Sequence, residues 1–305
     1  MTWDGINSAD SEGAAPFRLQ MSDGVMIVGE AWGRPENPPI LFAHGGGQTR
    51  HAWTKVARST ANTGWRALAV DLRGHGNSGW SPDGDYTYRR FAEDIAAIAK
   101  SMTSPPVIVG ASFSGNCAIL AVATATQPLA RALVIVDVTP RIERAGHDRI
   151  ISFMERHLDE GFASPDDAAA AIAEYNPDRV RRPNVANLRR NLRLGQDGRY
   201  HWHWDPKTVR GERNAQMTPA LSAELWTAAR GVTVPLLLIR GRESDIVTDE
   251  AVRDFRQAVP HAEFHDIEGA SHMIVGDRND VFTAHLSDFL TRVLDGRVHH
   301  RTPAC

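Results

Sequence analysis

The stretch VIVGASFSGNCA, residues 107–118, decides the fold because an apolar run ends in small residues that lead directly into a helical pattern. A buried strand that breaks into small residues at its carboxyl end is where open α/β sheets usually carry their chemistry. The stretch holds two serines, Ser112 and Ser114, and either hydroxyl is a candidate nucleophile. The sequence around them has to decide which one.

The run from Gly110 to Gly115 fits a nucleophile elbow, a sharp strand-to-helix turn that exposes one side chain above the sheet. The central residue of such a turn has a strained backbone, so the residues two before and two after it must be small. Centring the turn on Ser112 puts Gly110 and Ser114 at those positions. Centring it on Ser114 puts Ser112 and Asn116 there, which is a poorer fit. We therefore predict Ser112.

Strand-like and helical segments alternate on both sides of this stretch. The strand-like runs are FRLQM (17–21), VMIVGEAW (25–32), PPILFAH (38–44), RALAVDL (66–72), VIVG (107–110), LVIVDVTP (133–140), PLLLIRG (235–241) and EFHDIEG (263–269). The first two flank a turn at residues 22–24 and are predicted to form an antiparallel hairpin. The others are separated by helical patterns, which predicts parallel strands joined by crossovers.

The alternation stops between Pro140 and Val232, where the patterns are helical. Ser164-Pro165-Asp166-Asp167, for example, has a capping serine, a proline at the first helical position and acids in the first turn. The predicted organisation is a core of residues 17–139 and 233–296, an inserted helical cap of residues 140–232, and flexible tails of residues 1–16 and 297–305.

Composition limits the classes of function. The 305 residues are 42% hydrophobic and 23% charged with a net charge of −3, so nothing favours nucleic acid or an anionic membrane. Two cysteines, Cys117 and Cys305, do not make a disulfide framework and favour a reducing compartment. The polar start and the lack of a membrane-length apolar run predict a soluble, cytoplasmic protein. The sequence leaves the oligomeric state open and is compatible with a homodimer.

Four further landmarks each follow a predicted strand. They are His44-Gly45-Gly46-Gly47, Asp71–Ser78, Arg240–Asp245 and Gly269-Ala270-Ser271-His272. Together with the elbow they resemble the α/β-hydrolase fold, in its capped serine hydrolase branch, over residues 17–294. The resemblance implies an α/β fold with a mostly parallel eight-stranded sheet, flanked by helices and interrupted by a helical cap.

The resemblance also implies a catalytic triad in the chain order Ser, Asp, His. Ser112 would attack the substrate, His272 would accept and return its proton, and Asp245 would orient the imidazole. Asp245 is chosen because it ends an Arg-Gly-x-x-Ser-Asp run, the family's usual acid loop. Asp137, at the end of a strand, and Glu243 remain alternatives for the acid.

The oxyanion hole should consist of backbone donors, namely the N–H of Phe113 after the nucleophile and the N–H of Gly46 in the glycine loop. We interpret His44 as a residue that stabilises its turn, and His75 likewise as structural. No metal and no organic cofactor are expected.

These features predict an enzyme that cleaves a small carboxylic ester or a lactone through an acyl-enzyme at Ser112. Haloalkane dehalogenases and epoxide hydrolases of similar architecture attack with an aspartate, so a serine argues against both. A carbon–carbon bond hydrolase and a cofactor-free haloperoxidase or perhydrolase use the same triad and remain open. A ligand receptor with slow turnover is the alternative from another class.

Overall fold

The computed structural model describes residues 13–175, 185–211, 217–272, 274 and 279–298, and every structural statement below concerns these residues. Its main feature is an eight-stranded sheet with the order β1-β2-β4-β3-β5-β6-β9-β10. The strands are β1 (Ala15–Gln20), β2 (Met26–Trp32), β3 (Pro39–Ala43), β4 (Arg66–Asp71), β5 (Val107–Ala111), β6 (Ala132–Val136), β9 (Leu236–Gly241) and β10 (Glu263–Ile267). A separate hairpin consists of β7 (Leu192–Leu194) and β8 (Tyr200–Trp202).

Strand directions follow the sequence pattern. β1 and β2 form the predicted hairpin, and β2 also pairs antiparallel with β4. Its turn uses Gly24 at φ +87°, a conformation that glycine adopts without a steric penalty. The other pairings, from β4 through β3, β5, β6 and β9 to β10, are parallel. The predicted fold class, a mostly parallel eight-stranded α/β sheet, is confirmed.

Ten α-helices accompany the strands in the described part of the chain. They are α1 (Thr54–Asn62), α2 (Tyr88–Lys100), α3 (Phe113–Thr124), α4 (Arg144–Arg156), α5 (Pro165–Tyr175), α6 (Val185–Leu188), α7 (Lys207–Arg210), α8 (Pro219–Gly231), α9 (Asp249–Ala258) and α10 (Asn279–Leu294). Short 3₁₀ turns precede α1 at Arg50–Trp53 and β7 at Arg189–Asn191.

The helices cover both faces of the sheet, and each face has its own hydrophobic cluster. One cluster includes Phe91 of α2, Ile119 of α3 and Phe255 of α9. The other includes Val56 of α1 and Phe282 of α10. Strands covered on both faces are buried throughout, which explains their continuous apolar sequences.

The segment between β6 and β9, which we call the insert (residues 140–232), contains a third cluster. This cluster draws on α4, α5, the β7-β8 hairpin and α7, and includes Met154, Phe162, Trp202 and Trp204. Ser164 caps α5 as expected, since its hydroxyl accepts a hydrogen bond from the Asp167 N–H at 3.2 Å. The last helix of the insert, α8, instead buries its residues in the same cluster as α2, α3 and α9.

Sheet order brings the predicted landmarks to one edge. The strands β3, β5, β6, β9 and β10 are consecutive and parallel, so the loops after them emerge side by side. These loops carry the glycine run, the elbow, Asp137, the Arg240–Asp245 run and His272. Within the described residues, no helix combines the length and apolar character needed to cross a membrane.

Candidate active site

Ser112 occupies the strand-to-helix turn between β5 and α3 in a strained conformation. Its φ is +53° and its ψ is −132°, a region that residues with a side chain rarely adopt and that costs about 1–3 kcal/mol. Two hydrogen bonds hold the turn: the Ser112 N–H donates to the Val136 carbonyl, and the Ser112 carbonyl accepts from the Gly115 N–H, both at 2.8 Å. The backbone is therefore fixed so that the side chain lies above the sheet edge.

The elbow is so tightly packed at Gly110 and Gly115 that neither position has room for a side chain. A Cβ on Gly110 would lie 2.7 Å from the backbone of Gly115, and a Cβ on Gly115 would lie 2.7 Å from Val138 Cγ1. Ser114 is fully buried, and its hydroxyl contacts the carbonyls of Ala43 (3.0 Å) and Ala111 (2.9 Å). Ser114 therefore ties the elbow to β3, and of the two elbow serines it is Ser112 that lines the cavity.

His272 lies between Ser112 and a buried carboxylate. Its Nε2 is 3.1 Å from Ser112 Oγ, and its Nδ1 is 2.6 Å from Asp137 Oδ2. A carboxylate accepts hydrogen bonds, so Nδ1 carries a proton and donates it to Asp137. In the neutral imidazole, Nε2 then presents a lone pair to the hydroxyl of Ser112.

Asp137 follows β6 directly and is held by several donors. Its own φ is +52°, its side chain is 1% exposed, and its N–H donates to the Ile239 carbonyl at 2.7 Å. Oδ1 accepts the Gly241 N–H at 2.9 Å, and Oδ2 accepts the Ser244 hydroxyl at 2.6 Å. Hydrogen bonds of this kind fix the orientation of the carboxylate toward His272.

The structure corrects the sequence-based choice of acid. Among the described residues, no hydrogen bond joins Asp245 to His272: the Asp245 carboxylate forms an ion pair with Arg149 of α4, and about a third of its side chain is exposed. α4 approaches closely here because Gly146 has no side chain, and a Cβ on it would lie 2.3 Å from the Asp245 carbonyl oxygen. Glu243 is exposed at the cavity.

The Arg-Gly-x-x-Ser-Asp run still contributes to the site, through other atoms than those predicted. It supplies the Gly241 N–H and the Ser244 hydroxyl, which both donate to Asp137. The carboxylate that faces His272 therefore follows β6, the immediate neighbour of the strand that carries Ser112. Two features distinguish Asp137 from Asp245: its positive φ, and its place after β6, the strand that lies beside β5 in the sheet. The spacing of residues in the sequence reveals neither the backbone angle nor the order of the strands.

The two predicted oxyanion donors lie next to each other. Phe113 opens α3, where a backbone N–H has no acceptor within the helix. A Cβ on Gly46 would lie 3.8 Å from Phe113 Cδ1, and both residues line the cavity. The positive φ of the glycine loop, +70°, belongs to Gly47, where a side chain would meet Trp204 of the insert at 3.4 Å. Donation by Gly46 and Phe113 to an oxyanion stays a prediction.

Two buried histidines lie beneath the site. His44 Nδ1–H donates to the Gly45 carbonyl at 2.8 Å and Nε2 accepts the Leu72 N–H at 3.0 Å, so this ring joins the glycine loop to the end of β4. His75 Nδ1–H donates to the Arg73 carbonyl at 2.9 Å. Burial lowers the pKa of His44, and burial with the neighbouring His44 lowers the pKa of His75 to about 3. Both rings are therefore neutral at pH 7.

A cavity of about 770 Å³ lies between the sheet edge and the insert. Ser112 and His272 line it from the core, and Phe153, Met154, Trp202 and Trp204 line it from the insert. Among the described residues, no three His, Cys, Asp or Glu side chains are grouped to hold a metal ion.

Comparison with known proteins agrees with this architecture. The model of the alpha/beta hydrolase family matches residues 40–285. The chain is 31% identical over 251 residues to the esterase Rv0045c of Mycobacterium tuberculosis, covering 79% of this chain and 78% of that protein. It is 25% identical over 252 residues to the 3-hydroxybutyrate-oligomer hydrolase of Cupriavidus necator, covering 79% and 85%.

Solved structures show the same fold. A solved structure of the M. tuberculosis esterase superposes with a TM-score of 0.71 at 27% identity, over 91% of this chain and 92% of that one. That of E-2-(acetamidomethylene)succinate hydrolase superposes with a TM-score of 0.77 at 22% identity, over 91% and 99%. The family match begins within β3 and runs past β10 and His272, so it includes the elbow, and the chain belongs to the alpha/beta hydrolase family.

Proposed function

We propose that this protein is a serine hydrolase that cleaves carboxylic esters, lactones included, with Ser112, His272 and Asp137 as its catalytic triad. One observation carries the proposal: the hydrogen-bonded series from Ser112 Oγ through the His272 ring to Asp137 Oδ2, with distances of 3.1 and 2.6 Å, opens into a cavity. A serine hydroxyl is a weak nucleophile without an adjacent base, and this series supplies one.

In the first half-reaction, Ser112 Oγ attacks the carbonyl carbon while His272 Nε2 accepts the hydroxyl proton. The carbonyl oxygen becomes an oxyanion, which the N–H groups of Gly46 and Phe113 stabilise. Asp137 stabilises the imidazolium and keeps the required tautomer without taking the proton itself. The tetrahedral intermediate collapses, His272 returns the proton to the departing alkoxide, and an acyl-enzyme ester remains on Ser112.

In the second half-reaction, His272 takes a proton from a water molecule, whose oxygen attacks the acyl carbon. Collapse of the second tetrahedral intermediate breaks the bond to Ser112 Oγ, which recovers its proton from His272. The products are a carboxylic acid and an alcohol, or a single hydroxy acid when the substrate is a lactone. All of these steps use groups of the chain and water.

A fluorophosphonate label and a chromogenic ester test the proposal. We expect the label on Ser112, many turnovers of 4-nitrophenyl butyrate per enzyme molecule, and loss of both in Ser112→Ala. Ser114→Ala is the matched control and should keep the label. Labelling that survives Ser112→Ala, or hydrolysis that stops after a few equivalents, would overturn the proposal, and the second outcome would favour a ligand receptor.

A further inference from the structure

One wall of the cavity consists of a single helical face that the reaction scheme does not use. His51, in the 3₁₀ turn before α1, and Lys55 and Arg58 of α1 line the cavity at intervals of four and three residues. Residues at these intervals share one face of a helix. The opposite face of α1 packs into the core through Val56 and Ala57. We call the first three residues the basic wall.

Neither cation of the basic wall takes part in a described ion pair. α1 has the sequence TKVARSTAN and contains no acidic residue. Among the described residues, no ion pair includes Lys55 or Arg58, whereas Asp245, one of the two described acids that line the cavity, is paired with Arg149. The α1 side of the cavity therefore presents two cations that have no described ion-pair partner.

His51 adds a neutral polar group to the same wall. Burial, with the neighbouring Arg50, lowers the pKa of His51 to about 4, so its ring is uncharged at pH 7. A neutral imidazole can donate one hydrogen bond and accept another. The wall thus pairs two cations with a polar ring, a set suited to a charged oxygen group.

We propose that the basic wall binds an anionic group of the substrate, so that the preferred substrates are esters with an anion remote from the scissile carbonyl. The inference rests on the proposed function, because it names the class of ester that the same site takes. His51 is the end of the basic wall nearer in sequence to Gly46, the predicted oxyanion donor, from which it is five positions away. At a helical rise of 1.5 Å per residue, Arg58 lies about 10 Å further along the wall than His51. The anion would therefore be separated from the reacting carbonyl by a chain of several bonds.

The test compares matched ester pairs at low ionic strength. 4-Nitrophenyl hydrogen adipate and 4-nitrophenyl hexanoate have equal acyl chains and differ in a terminal carboxylate. The acetate ester of 6-hydroxyhexanoate and hexyl acetate differ in the same way on the alcohol side. On at least one pair, we expect kcat/KM to be at least tenfold higher for the anionic ester, mainly because its KM is lower. This preference should decrease when salt is added. A 4-nitrophenyl ester whose acyl chain has the same length but ends in a phosphonate is compared with the adipate ester. The ratio of their kcat/KM values shows whether the basic wall prefers a carboxylate to a phosphonate.

Variants locate the effect. Lys55→Met and Arg58→Met should each lower the anionic-to-neutral ratio of kcat/KM at least threefold, and the double variant should remove most of it. Lys100→Met, at the end of α2 and outside the cavity, is the matched control and should keep the wild-type ratio. Equal rates on both pairs, or an unchanged ratio in the double variant, would overturn the inference.

Binding provides a readout that does not depend on turnover. In Ser112→Ala, calorimetry should show tighter binding of monomethyl adipate than of methyl hexanoate, and adding Lys55→Met together with Arg58→Met should remove most of the difference. Loss of esterase activity toward every ester with this binding preference intact would reject the proposed function alone. Activity on neutral esters without any anionic preference would reject only the basic wall.

Discussion

Oδ2 of Asp137 lies 2.6 Å from Nδ1 of His272 although 135 residues separate the two in the chain. The contact forms because β6 is two places from β10 in the sheet, with only β9 between them. The loop after β9 then does not provide the carboxylate. Instead, Gly241 at the end of β9 and Ser244 in the loop after it donate hydrogen bonds to the carboxylate of Asp137, which follows β6.

The first prediction concerns the acid. Asp137→Asn should lower kcat for 4-nitrophenyl butyrate by up to ~10⁴-fold, because an amide stabilises neither the required tautomer nor the imidazolium. Asp245→Asn is the matched control, since it makes the same change in the next loop, and should retain kcat within about threefold. The ion pair that it removes is partly exposed, and pairs of this kind contribute little to stability.

Melting temperatures of both variants separate catalysis from folding. If Asp245→Asn loses activity while folded Asp137→Asn keeps it, the assignment of the acid to Asp137 is wrong.

The choice between Asp137 and Asp245 shows what a single sequence leaves open. Asp137 and Asp245 both follow strands of the core, and those strands, β6 and β9, are neighbours in the sheet. Only the backbone geometry decides between them: Asp137 turns its carboxylate to His272 at φ +52°, whereas Asp245 faces Arg149 of the insert. Linear spacing contains neither the sheet neighbours nor that ion pair.

The second prediction concerns Ser244 as a positioning residue. Its hydroxyl donates to Asp137 Oδ2 at 2.6 Å and accepts the N–H groups of Ile246 and Val247 at 3.2 Å. Ser244→Ala should lower kcat about 10- to 100-fold with KM nearly unchanged, since a hydrogen bond to a charged group contributes ~1.5–3 kcal/mol.

Ser244→Thr retains the hydroxyl and should restore most of the activity. A merely structural role would instead lower the melting temperature of Ser244→Ala while the folded fraction kept the wild-type kcat.

The third prediction concerns the tight packing of the elbow. In Gly110→Ala the new methyl group would lie 2.7 Å from backbone atoms of Gly115, which cannot move without displacing Ser112. We expect a loss of ~1–3 kcal/mol of unfolding free energy, as in other overpacked cores, together with poor fluorophosphonate labelling.

Gly231→Ala at the end of α8 is the control, because its methyl group would lie 3.9 Å from Ala123 Cβ. It should stabilise the protein slightly, by up to ~1 kcal/mol. Urea unfolding of both variants measures the difference, and equal stability would contradict the crowding at the elbow.

The elbow itself was predictable because its requirements are local. Gly110 and Ser112 lie within one turn of chain, and the strained φ of Ser112 follows from the strand-to-helix geometry. Gly115 was harder to identify, because its contact with Val138 depends on the packing of α3 against the end of β6. The parallel strands were predictable for a similar reason: both of their faces are covered, so each appears in the sequence as an apolar run.

The last prediction concerns pH and the buried ring of His75. In the folded protein its pKa is about 3, because burial and the neighbouring His44 disfavour the charged ring, whereas an unfolded histidine has a pKa of about 6.5. Between these values the unfolded chain binds a proton that the native state does not, so the free energy of unfolding falls as the pH falls below about 6.5. From pH 6.5 to pH 5 this effect amounts to roughly 2 kcal/mol for one histidine.

His75→Gln isolates this contribution. The glutamine amide can still donate to the Arg73 carbonyl but does not titrate, so the variant should lose stability less steeply on acidification. At pH 7.5 the variant should be less stable than the wild type, because glutamine does not reproduce the native packing of the imidazole ring. Its deficit relative to the wild type should then shrink by roughly 2 kcal/mol at pH 5. Urea unfolding at intervals from pH 7.5 to pH 5 measures both curves. Parallel curves would mean that the His75 ring takes up its proton as readily in the folded protein as in the unfolded chain.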